Sequence, residues 1–249
     1  MMESLRAAAV IPAYNEAATI RDVAERTLNY VSTVIIVDDG SSDGTADEVR
    51  ELPVVSLKNE HNAGKAAALW QGMEYAKERG FEAVITLDGD GQHRPEDIPA
   101  LIECASEQPD TLVIAARTLK TEEAPRARLF ANRFADFWIS WAGGHWIRDT
   151  QSGFRLYPAR LIREIKVPRD KAHGFVFESE ILIEALRMGY RCVTVPIAAI
   201  YHRGARPSHF RPVMDITRIV IMVAGKLLKW GLYPKGLLRA LATRNDVTG

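Results

Sequence analysis

The chain has 249 residues, of which 47% are hydrophobic, 26% are charged and 8% are aromatic. This composition is typical of a folded protein with a sizeable core, and it excludes a disordered, collagen-like or disulfide-stapled chain. Cys104 and Cys192 lie far apart without metal-ligand spacing, so we expect reduced thiols in an intracellular protein. The longest apolar runs near the two ends are too short for a signal peptide or a membrane-spanning helix.

The formal net charge is zero, but the charges are unevenly distributed. Residues 1–100 contain 9 Lys/Arg and 18 Asp/Glu, residues 101–200 contain 14 and 12, and residues 201–249 contain 9 and 2. An acidic first part favours cation binding, and a basic last part favours contacts with phosphate or an anionic surface. Two solvated faces would explain the same distribution.

The first half alternates short apolar runs with helical patterns. Runs rich in Val and Ile predict buried strands at 7–12, 34–38, 54–57, 83–87 and 111–115. Helical patterns lie between them at 19–30, 45–52, 64–79 and 95–106. This order predicts an open, mostly parallel sheet flanked by helices, with a ligand crevice at the carboxyl ends of the strands.

The pattern changes after Arg117. We predict helices at 125–142 and 178–188, strands at 152–157 and 192–196, and a final amphipathic helix at 213–230 followed by a basic tail. The second half would complete the cleft that the first half begins. The expected fold class is therefore α/β, with a Rossmann-like nucleotide-binding half.

Polar clusters follow three of the predicted strands, at 11–16, 38–45 and 87–92. Turn preferences of Asp and Gly explain one cluster, but three would crowd five acidic side chains at one edge without compensation. Asp88 and Asp90, one residue apart after a buried strand, could share one hard cation such as Mg²⁺ or Mn²⁺ with substrate phosphates. No glycine motif with the spacing of a P-loop or of a dinucleotide site is present.

Taken in order, these motifs resemble the family 2 glycosyltransferases of GT-A fold. The resemblance rests on residues 10–16 (Val-Ile-Pro-Ala-Tyr-Asn-Glu), 37–45, 62–65 (Asn-Ala-Gly-Lys) and 88–90 (Asp-Gly-Asp). It continues through 149–155 (Asp-Thr-Gln-Ser-Gly-Phe-Arg) and Phe177-Glu178, so it covers roughly residues 7–215. The Ser-Gly-Phe-Arg element is most similar to the branch of polyprenyl-phosphate sugar synthases, such as dolichyl-phosphate mannose synthase.

The resemblance implies roles for individual residues. The nucleotide-sugar would contact Pro12, Tyr14, Glu16, Asp39, Lys65, Asp88 and Gln92, while Asp38 would orient its loop. Asp88 and Asp90 would hold Mg²⁺ or Mn²⁺, and the catalytic set would be Asp90, Arg117 and Asp149. The acceptor would contact Arg133, Ser152, Arg155 and Arg206. Simple packing of Tyr14 and surface ion pairs of Arg133 and Arg155 are the alternatives.

The implied activity is an inverting transfer of a hexose from a UDP- or GDP-linked sugar to a polyprenyl phosphate. A phosphate monoester, with a second pKa of about 6, can attack unaided, whereas a hydroxyl acceptor would need Asp149 as general base. A hydroxyl acceptor in a lipid or cell-surface glycan precursor remains an alternative, as does a non-catalytic nucleotide-sugar-binding module. We expect no nucleic-acid partner.

The implied organisation is a glycosyltransferase domain over 1–212, with a nucleotide-sugar-binding half at 1–117 and an acceptor half at 118–212. Residues 213–249 would form an amphipathic helix and basic tail. The predicted apolar face of that helix comprises Val213, Ile216, Ile219, Val220, Val223, Leu227 and Leu228. We expect a cytoplasmic enzyme, peripheral at the inner face of the membrane, that binds the bilayer surface or a membrane protein through this face. Packing on the domain, on a partner or on a second copy would use the same face.

Overall fold

The computed structural model describes residues 5–119, 126–167, 176–198 and 212–244; the predicted acceptor residue Arg206 lies outside them. One sheet contains the strands β1 (Ala7–Ala13), β2 (Val34–Asp38), β3 (Val55–Lys58), β4 (Ala83–Thr86), β5 (Thr111–Leu119), β6 (Arg155–Pro158) and β7 (Arg191–Ala198). The helices of the described ranges are α1 (Ile20–Leu28), α2 (Thr45–Glu48), α3 (Lys65–Glu78), α4 (Ile98–Glu107), α5 (Arg126–Gly143), α6 (Ala159–Glu164), α7 (Val176–Arg187), α8 (Pro212–Lys229) and α9 (Pro234–Thr243).

The sheet has the strand order β3-β2-β1-β4-β6-β5-β7. The strands pair in parallel, except that β6 lies antiparallel between β4 and β5. The predicted mostly parallel sheet is therefore confirmed. Because β1 lies between β2 and β4, the loops that follow these three strands meet at one carboxyl edge, where the polar clusters were expected.

Both faces of the sheet are buried because apolar side chains alternate between two core clusters. On β1, Ala8 and Val10 face the cluster that includes residues of α3, α5, α7 and α8. Ala9 and Ile11 face the other cluster, which is covered by α1 and α4. This two-sided burial explains why the strands read as continuous apolar runs rather than as alternating patterns.

The predicted elements are present, although four regions differ from the sequence prediction. The helix predicted at 45–52 ends after one turn, as α2, and the strand predicted at 152–157 begins only at Arg155. That strand is shortened because residues 149–152 form a turn, in which the backbone N–H of Ser152 donates to the carbonyl of Asp149 at 3.0 Å. The helices α6 and α9 were not predicted; α9 was interpreted as a basic tail.

The inner face of α8 is part of the core. Ile219, Val223 and Leu227 are buried there against the domain, and Lys226 lies 2.9 Å from Glu180 and 2.6 Å from Glu184 of α7. Most of the apolar face assigned to membrane contact is therefore already occupied. Within the described ranges, no helix has the length and hydropathy that a bilayer span requires.

The packing of α3 on the sheet predicts a stability difference between two glycine positions. A Cβ at Gly72 would collide with the side chain of Val10 and lie 3.2 Å from Val37, whereas a Cβ at Gly225 in α8 would meet no atom within 4 Å. We expect Gly72→Ala to lower the free energy of unfolding by about 1–3 kcal/mol through overpacking. Gly225→Ala should raise it by about 0.5–1 kcal/mol, because Ala is the better helix former. Urea unfolding of the two variants measures both values, and equal effects would contradict the tight packing at Gly72.

Candidate active site

Hydrogen bonds lock together the loops at the carboxyl ends of β1, β2 and β4. The backbone N–H of Asn15 donates to the hydroxyl of Ser41 at 2.9 Å, and the side-chain oxygen of Asn15 accepts from the N–H of Ser42 at 2.9 Å. Asn15 has a φ of 58°, a left-handed conformation that Asn tolerates better than most residues. Thr19 donates to the carbonyl of Gly89 at 2.6 Å, which ties the start of α1 to the Asp88–Asp90 loop.

The residues predicted to bind the nucleoside surround this edge. Tyr14 is 37% exposed, and Pro12 and Glu16 are half-buried. Asp39 is buried, and its carboxylate accepts hydrogen bonds from the side chain of Asn59 and from the backbone N–H groups of Ala63 and Gly64, at 2.7–2.9 Å. Asp39 thereby fixes the loop that leads into α3.

One oxygen of Asp38 also holds loop geometry. Its Oδ1 accepts from the backbone N–H of Ser41 at 2.9 Å, whereas its buried Oδ2 has no hydrogen-bond partner among the described residues. Contacts of Tyr14, Glu16 and Asp39 with a nucleoside remain predictions.

Lys65, the first residue of α3, lies at the centre of a partly buried charge cluster. Its ammonium group is 2.7 Å from Asp88 Oδ1 and 3.2 Å from Glu178 Oε2. Burial alone would lower the pKa of Lys65, but attraction by the two carboxylates raises it above its ordinary value. The same ion pair lowers the pKa of Asp88 against the effect of burial. Lys65 and Asp88 are therefore both charged at neutral pH.

The pKa of Asp90, in contrast to that of Asp88, is raised. Burial raises its pKa to about 6, and the charge of Asp88 acts in the same direction. Its Oδ1 accepts from the backbone N–H of Gln92 at 3.0 Å, while the buried Oε1 of Glu178 has no hydrogen-bond partner among the described residues. More positive charge would relieve this excess of acidic oxygens.

The donor set fits a hard divalent cation, because carboxylate and amide oxygens are the ligands that Mg²⁺ and Mn²⁺ prefer. Asp88 and Asp90 supply the carboxylates, with Gln92 beside them. Within the described ranges, no group of three or more His, Cys, Asp or Glu side chains could hold a metal ion without help. A cation at this pair would therefore depend on ligands from a substrate or from water.

His93 holds the loop that carries Asp88 and Asp90. Its Nδ1 accepts from the backbone N–H of Asp88 at 3.2 Å, and its ring lies 5.5 Å from that of Phe154. Burial lowers the pKa of His93 to about 4, so the imidazole is neutral at physiological pH. Its nitrogen facing Asp88 is consequently an acceptor that fixes the loop.

Arg117 and Asp149 form a bidentate ion pair on the other side of the acidic pair. Asp149 Oδ1 accepts from Arg117 Nη2 at 2.7 Å, and Asp149 Oδ2 accepts from Arg117 Nε at 2.7 Å and from its backbone N–H at 2.8 Å. These bonds hold the pKa of Asp149 below its ordinary value although the residue is buried. Asp149 therefore orients the guanidinium of Arg117.

Asp136 of α5 holds the backbone that carries Asp149. It accepts from the backbone N–H of Asp149 at 3.1 Å, and from the N–H and hydroxyl of Thr150 at 2.8 and 2.6 Å. Asp149 has a φ of 52°, which a non-glycine residue adopts only when its surroundings enforce it. Asp136, Asp149 and Arg117 thus form a continuous chain of contacts from α5 to the cleft.

Two of the predicted acceptor residues lie inside the fold. Arg155 is buried, and its guanidinium donates to the carbonyls of Thr150, Ser152 and Glu178 at 2.6–2.8 Å. Ser152 is buried too, and its hydroxyl accepts from the backbone N–H of Phe154 at 3.4 Å. Most of the donor capacity of Arg155 is therefore used to hold the 150–152 turn, and the acceptor roles of both residues remain predictions.

Two adjoining cavities open at this edge and share Arg117 and Asn132. The acidic cavity is lined by Asp88, Asp90, Gln92, Lys65, Gly153 and Glu178. The basic cavity, of about 800 Å³, is lined by four arginines and two aromatic rings: Arg117, Arg133, Arg148, Arg244, Phe137 and Trp146. Arg244 lies over the ring of Trp146, with its guanidinium carbon 4.7 Å from the ring centroid.

Sequence reasoning assigned no role to several of these residues. Glu178 was part of a recognised motif, but nothing in the sequence connected it to Lys65. Asp136 had a signal, since it is the one acidic residue in the aromatic stretch 130–142. Arg148 and Arg244 are ordinary arginines in the sequence, and only the packing of α9 on α5 brings them into one cavity.

The fold and the site define an α/β protein with an acidic pair and a basic cavity at the carboxyl edge of its sheet. The chain matches the model of glycosyl transferase family 2 over residues 8–166. It is 30% identical over 243 residues to UDP-N-acetylglucosamine–dolichyl-phosphate N-acetylglucosaminyltransferase of Methanococcus voltae, covering 88% of this chain and 96% of that protein. It is 31% identical to undecaprenyl-phosphate mannosyltransferase of Micrococcus luteus, covering 79% and 84% of the two chains. The protein belongs to glycosyl transferase family 2, as predicted.

Solved structures confirm the predicted fold class. Glucosyl-3-phosphoglycerate synthase from Mycobacterium tuberculosis, in complex with Mn²⁺, UDP-glucose and phosphoglyceric acid, superposes with a TM-score of 0.68 at 20% identity. The superposition covers 90% of this chain and 78% of that one. Mannosyl-3-phosphoglycerate synthase from Rubrobacter xylanophilus gives a TM-score of 0.67, also at 20% identity.

The raised pKa of Asp90 predicts how nucleotide binding depends on pH. A cation needs the ionised carboxylate, and with a pKa of about 6 the ionised fraction of Asp90 falls as the pH is lowered through that value. We expect the affinity for a UDP- or GDP-linked sugar, whose diphosphate has no group that titrates near pH 6, to weaken below about pH 6 in Mn²⁺ and to be flat in EDTA. Calorimetric titration of each nucleotide-sugar measures both series.

Asp90→Asn should remove both the Mn²⁺ dependence and the pH dependence of nucleotide affinity. Asp47→Asn, at an exposed carboxylate on α2, is the matched control and should behave as the wild type. If Asp90→Asn binds nucleotide in Mn²⁺ as tightly as the wild type, the pair is not a metal site.

The contacts of Asp136 predict that it acts through Arg117. We expect Asp136→Asn to lower turnover by about tenfold, because an amide cannot accept on both sides of the 149–150 turn. In an Arg117→Ala background the same change should have little further effect, since the residue it positions is absent.

Steady-state kinetics of the two single variants and the double variant test this coupling. Thr150→Val, which removes the hydroxyl bond and leaves both backbone bonds, is the control. Strictly additive effects of Asp136→Asn and Arg117→Ala would show that Asp136 has only a general structural role.

Proposed function

We propose that this glycosyltransferase moves a hexose, with inversion, from a UDP- or GDP-linked sugar to a polyprenyl phosphate. The observation that carries the proposal is the basic cavity that adjoins the acidic pair, with Arg117 lining both. The two relatives support it, since one is named for transfer to dolichyl phosphate and the other for transfer to undecaprenyl phosphate.

On the donor side, the acidic pair would receive the diphosphate together with Mg²⁺ or Mn²⁺. The cation, held by Asp88 and Asp90, would offset the negative charge that develops on the leaving diphosphate. Lys65 keeps Asp88 ionised and in place, and Arg117 presents a second positive charge nearby. The solved neighbours in complex with Mn²⁺ or Mg²⁺ and UDP are consistent with this arrangement.

On the acceptor side, the guanidinium groups of the basic cavity suit a phosphate. Arg133 is exposed, so its guanidinium is accessible to a ligand. The two acids of this cavity are both engaged: Asp149 by Arg117 and Asp136 by the 149–150 turn. The cavity therefore presents mainly positive charge to an incoming group.

The state of Asp149 favours a phosphate acceptor over a hydroxyl. Both of its oxygens accept from Arg117 and its pKa is lowered, which makes it a poor general base. A phosphate monoester needs no base, because it is already largely ionised at neutral pH.

An aromatic stripe along α5 suits the apolar chain of such an acceptor. Phe130, Phe134 and Trp138 follow one another with ring centroids 6.2–6.5 Å apart. Phe137, which lines the basic cavity, lies 5.8 Å from Trp138. The stripe thus connects the exposed ring of Phe130 to the proposed phosphate site.

Transfer assays with labelled UDP- and GDP-sugars test the proposal directly. We expect product with a short-chain, water-soluble polyprenyl phosphate, and none with the corresponding polyprenol. Product formed on the polyprenol would favour the hydroxyl-acceptor alternative. Nucleotide-sugar binding without any transfer or hydrolysis would favour a non-catalytic module.

The variant Asp149→Asn tests whether Asp149 is a general base or a residue that positions Arg117. If Asp149 only orients Arg117, we expect a loss of about tenfold, because the amide oxygen still accepts from one side of the guanidinium. Loss of a general base would cost up to about 10⁴-fold. Glu164→Gln, at an exposed carboxylate outside both cavities, is the control. A loss of turnover near 10⁴-fold would overturn the proposal of a phosphate acceptor.

A further inference from the structure

The outer face of α8 exposes large apolar side chains at regular intervals. Met214, Ile221 and Leu228 are 41%, 66% and 70% exposed. Their seven-residue spacing equals about two helical turns, so they form one stripe along the helix. This stripe lies opposite the buried face that contains Val223, so packing on the domain does not explain it.

The exposed apolar surface continues onto the neighbouring helices. Leu238 and Leu241 are exposed on α9, and Phe130 and Phe134 are exposed on α5, which packs on both α8 and α9. Of the ten large hydrophobic side chains exposed in the described residues, eight lie on these helices or in the turn that joins α8 and α9. A concentration of this kind marks an interaction surface rather than scattered exposure.

Positive charge surrounds this apolar surface. The segment 212–244 contains six Lys/Arg and a single acidic residue, Asp215, which is buried. Arg218 and Lys229 are exposed beside the stripe on α8, and Lys235 and Arg239 are exposed on α9. The surface is therefore apolar and cationic.

An apolar and cationic surface distinguishes between two possible occupants, a second copy of this chain and an anionic bilayer. In a dimer related by a two-fold axis, this surface would face its own copy, and cations would meet cations without acidic partners. An anionic bilayer complements both features, since apolar side chains enter the headgroup region while Lys and Arg contact the lipid phosphates.

We propose that the outer face of α5, α8 and α9 docks on the surface of an anionic lipid bilayer. The proposal rests on the proposed function for its purpose, because a polyprenyl phosphate stays in the membrane. This face adjoins the proposed acceptor site: α5 supplies Arg133 and Phe137 to the basic cavity, and Arg244, directly after α9, closes it. Docking through this face brings that cavity to the layer in which lipid phosphates lie.

Flotation with vesicles tests the surface in the full-length protein. We expect binding to vesicles that contain phosphatidylglycerol, weaker binding at high salt, and little binding to pure phosphatidylcholine. The double variant Ile221→Glu/Leu228→Glu should lose at least about tenfold in vesicle affinity while its unfolding midpoint stays close to that of the wild type, because both side chains are largely exposed. Met188→Glu, an exposed apolar residue outside this surface, is the matched control and should bind normally.

Two acceptor formats separate this proposal from the proposed function. The double variant should keep wild-type turnover on a water-soluble short-chain polyprenyl phosphate, and should lose turnover on the same phosphate embedded in anionic vesicles. Wild-type protein that stays unbound with anionic vesicles at low salt, or a variant that binds as well as the wild type, overturns the docking surface. A wild-type dimer in sedimentation that the variant abolishes, without vesicle binding, assigns the surface to a second copy instead. If the wild type transfers sugar neither to the water-soluble nor to the embedded polyprenyl phosphate, the proposed function is overturned, whatever the vesicle-binding result.

Discussion

The compensation of buried acidic charge at the carboxyl edge of the sheet is the constraint on which the site depends. The strand order places the loops after β1, β2 and β4 side by side, so their carboxylates are crowded together. Some are stabilised within the protein, since Asp39 accepts from amide donors and Asp88 pairs with Lys65; Asp149, in the loop before β6, pairs with Arg117. Asp90 is left with a raised pKa, because it is partly buried beside Asp88 and the described residues around it supply too little positive charge to offset both effects. That deficit is what a divalent cation would relieve.

The helix α5 connects this site to the rest of the molecule. One side carries Asp136, which holds the 149–150 turn, and Arg133, which lines the basic cavity. Another side carries the aromatic stripe that begins at Phe130. Because α8 and α9 pack on α5, these helices adjoin the side on which the acceptor is proposed to bind. Chemistry at the cleft and contact with a lipid surface would therefore share one rigid element.

The two charged residues that look most alike in the sequence have different roles in the structure. Arg117 lies near the end of β5, and Arg155 is the first residue of the antiparallel strand β6. Arg117 remains at the junction of the two cavities, held by Asp149, whereas Arg155 is buried and donates to three carbonyls. A buried guanidinium must satisfy its donors, and the irregular turn at 150–152 offers two of the three carbonyl acceptors. Arg155 therefore stabilises the turn next to the candidate active site.

The sequence by itself determined the α/β class, the positions of nearly all strands and helices, the acidic pair and the family. These depend on local patterns: apolar runs for buried strands, 3.6-residue periodicity for helices, and ordered motifs at strand ends. It did not determine which face of α8 is buried, because a helix with apolar residues on both sides has no local signal that selects one. Only the tertiary structure decided that Ile219 faces the core while Ile221 faces outward. It also decided that Glu178 meets Lys65, and that Arg244 joins Arg117 in one cavity. Such long-range contacts arise from how the helices pack on the sheet, and no spacing along the chain encodes them.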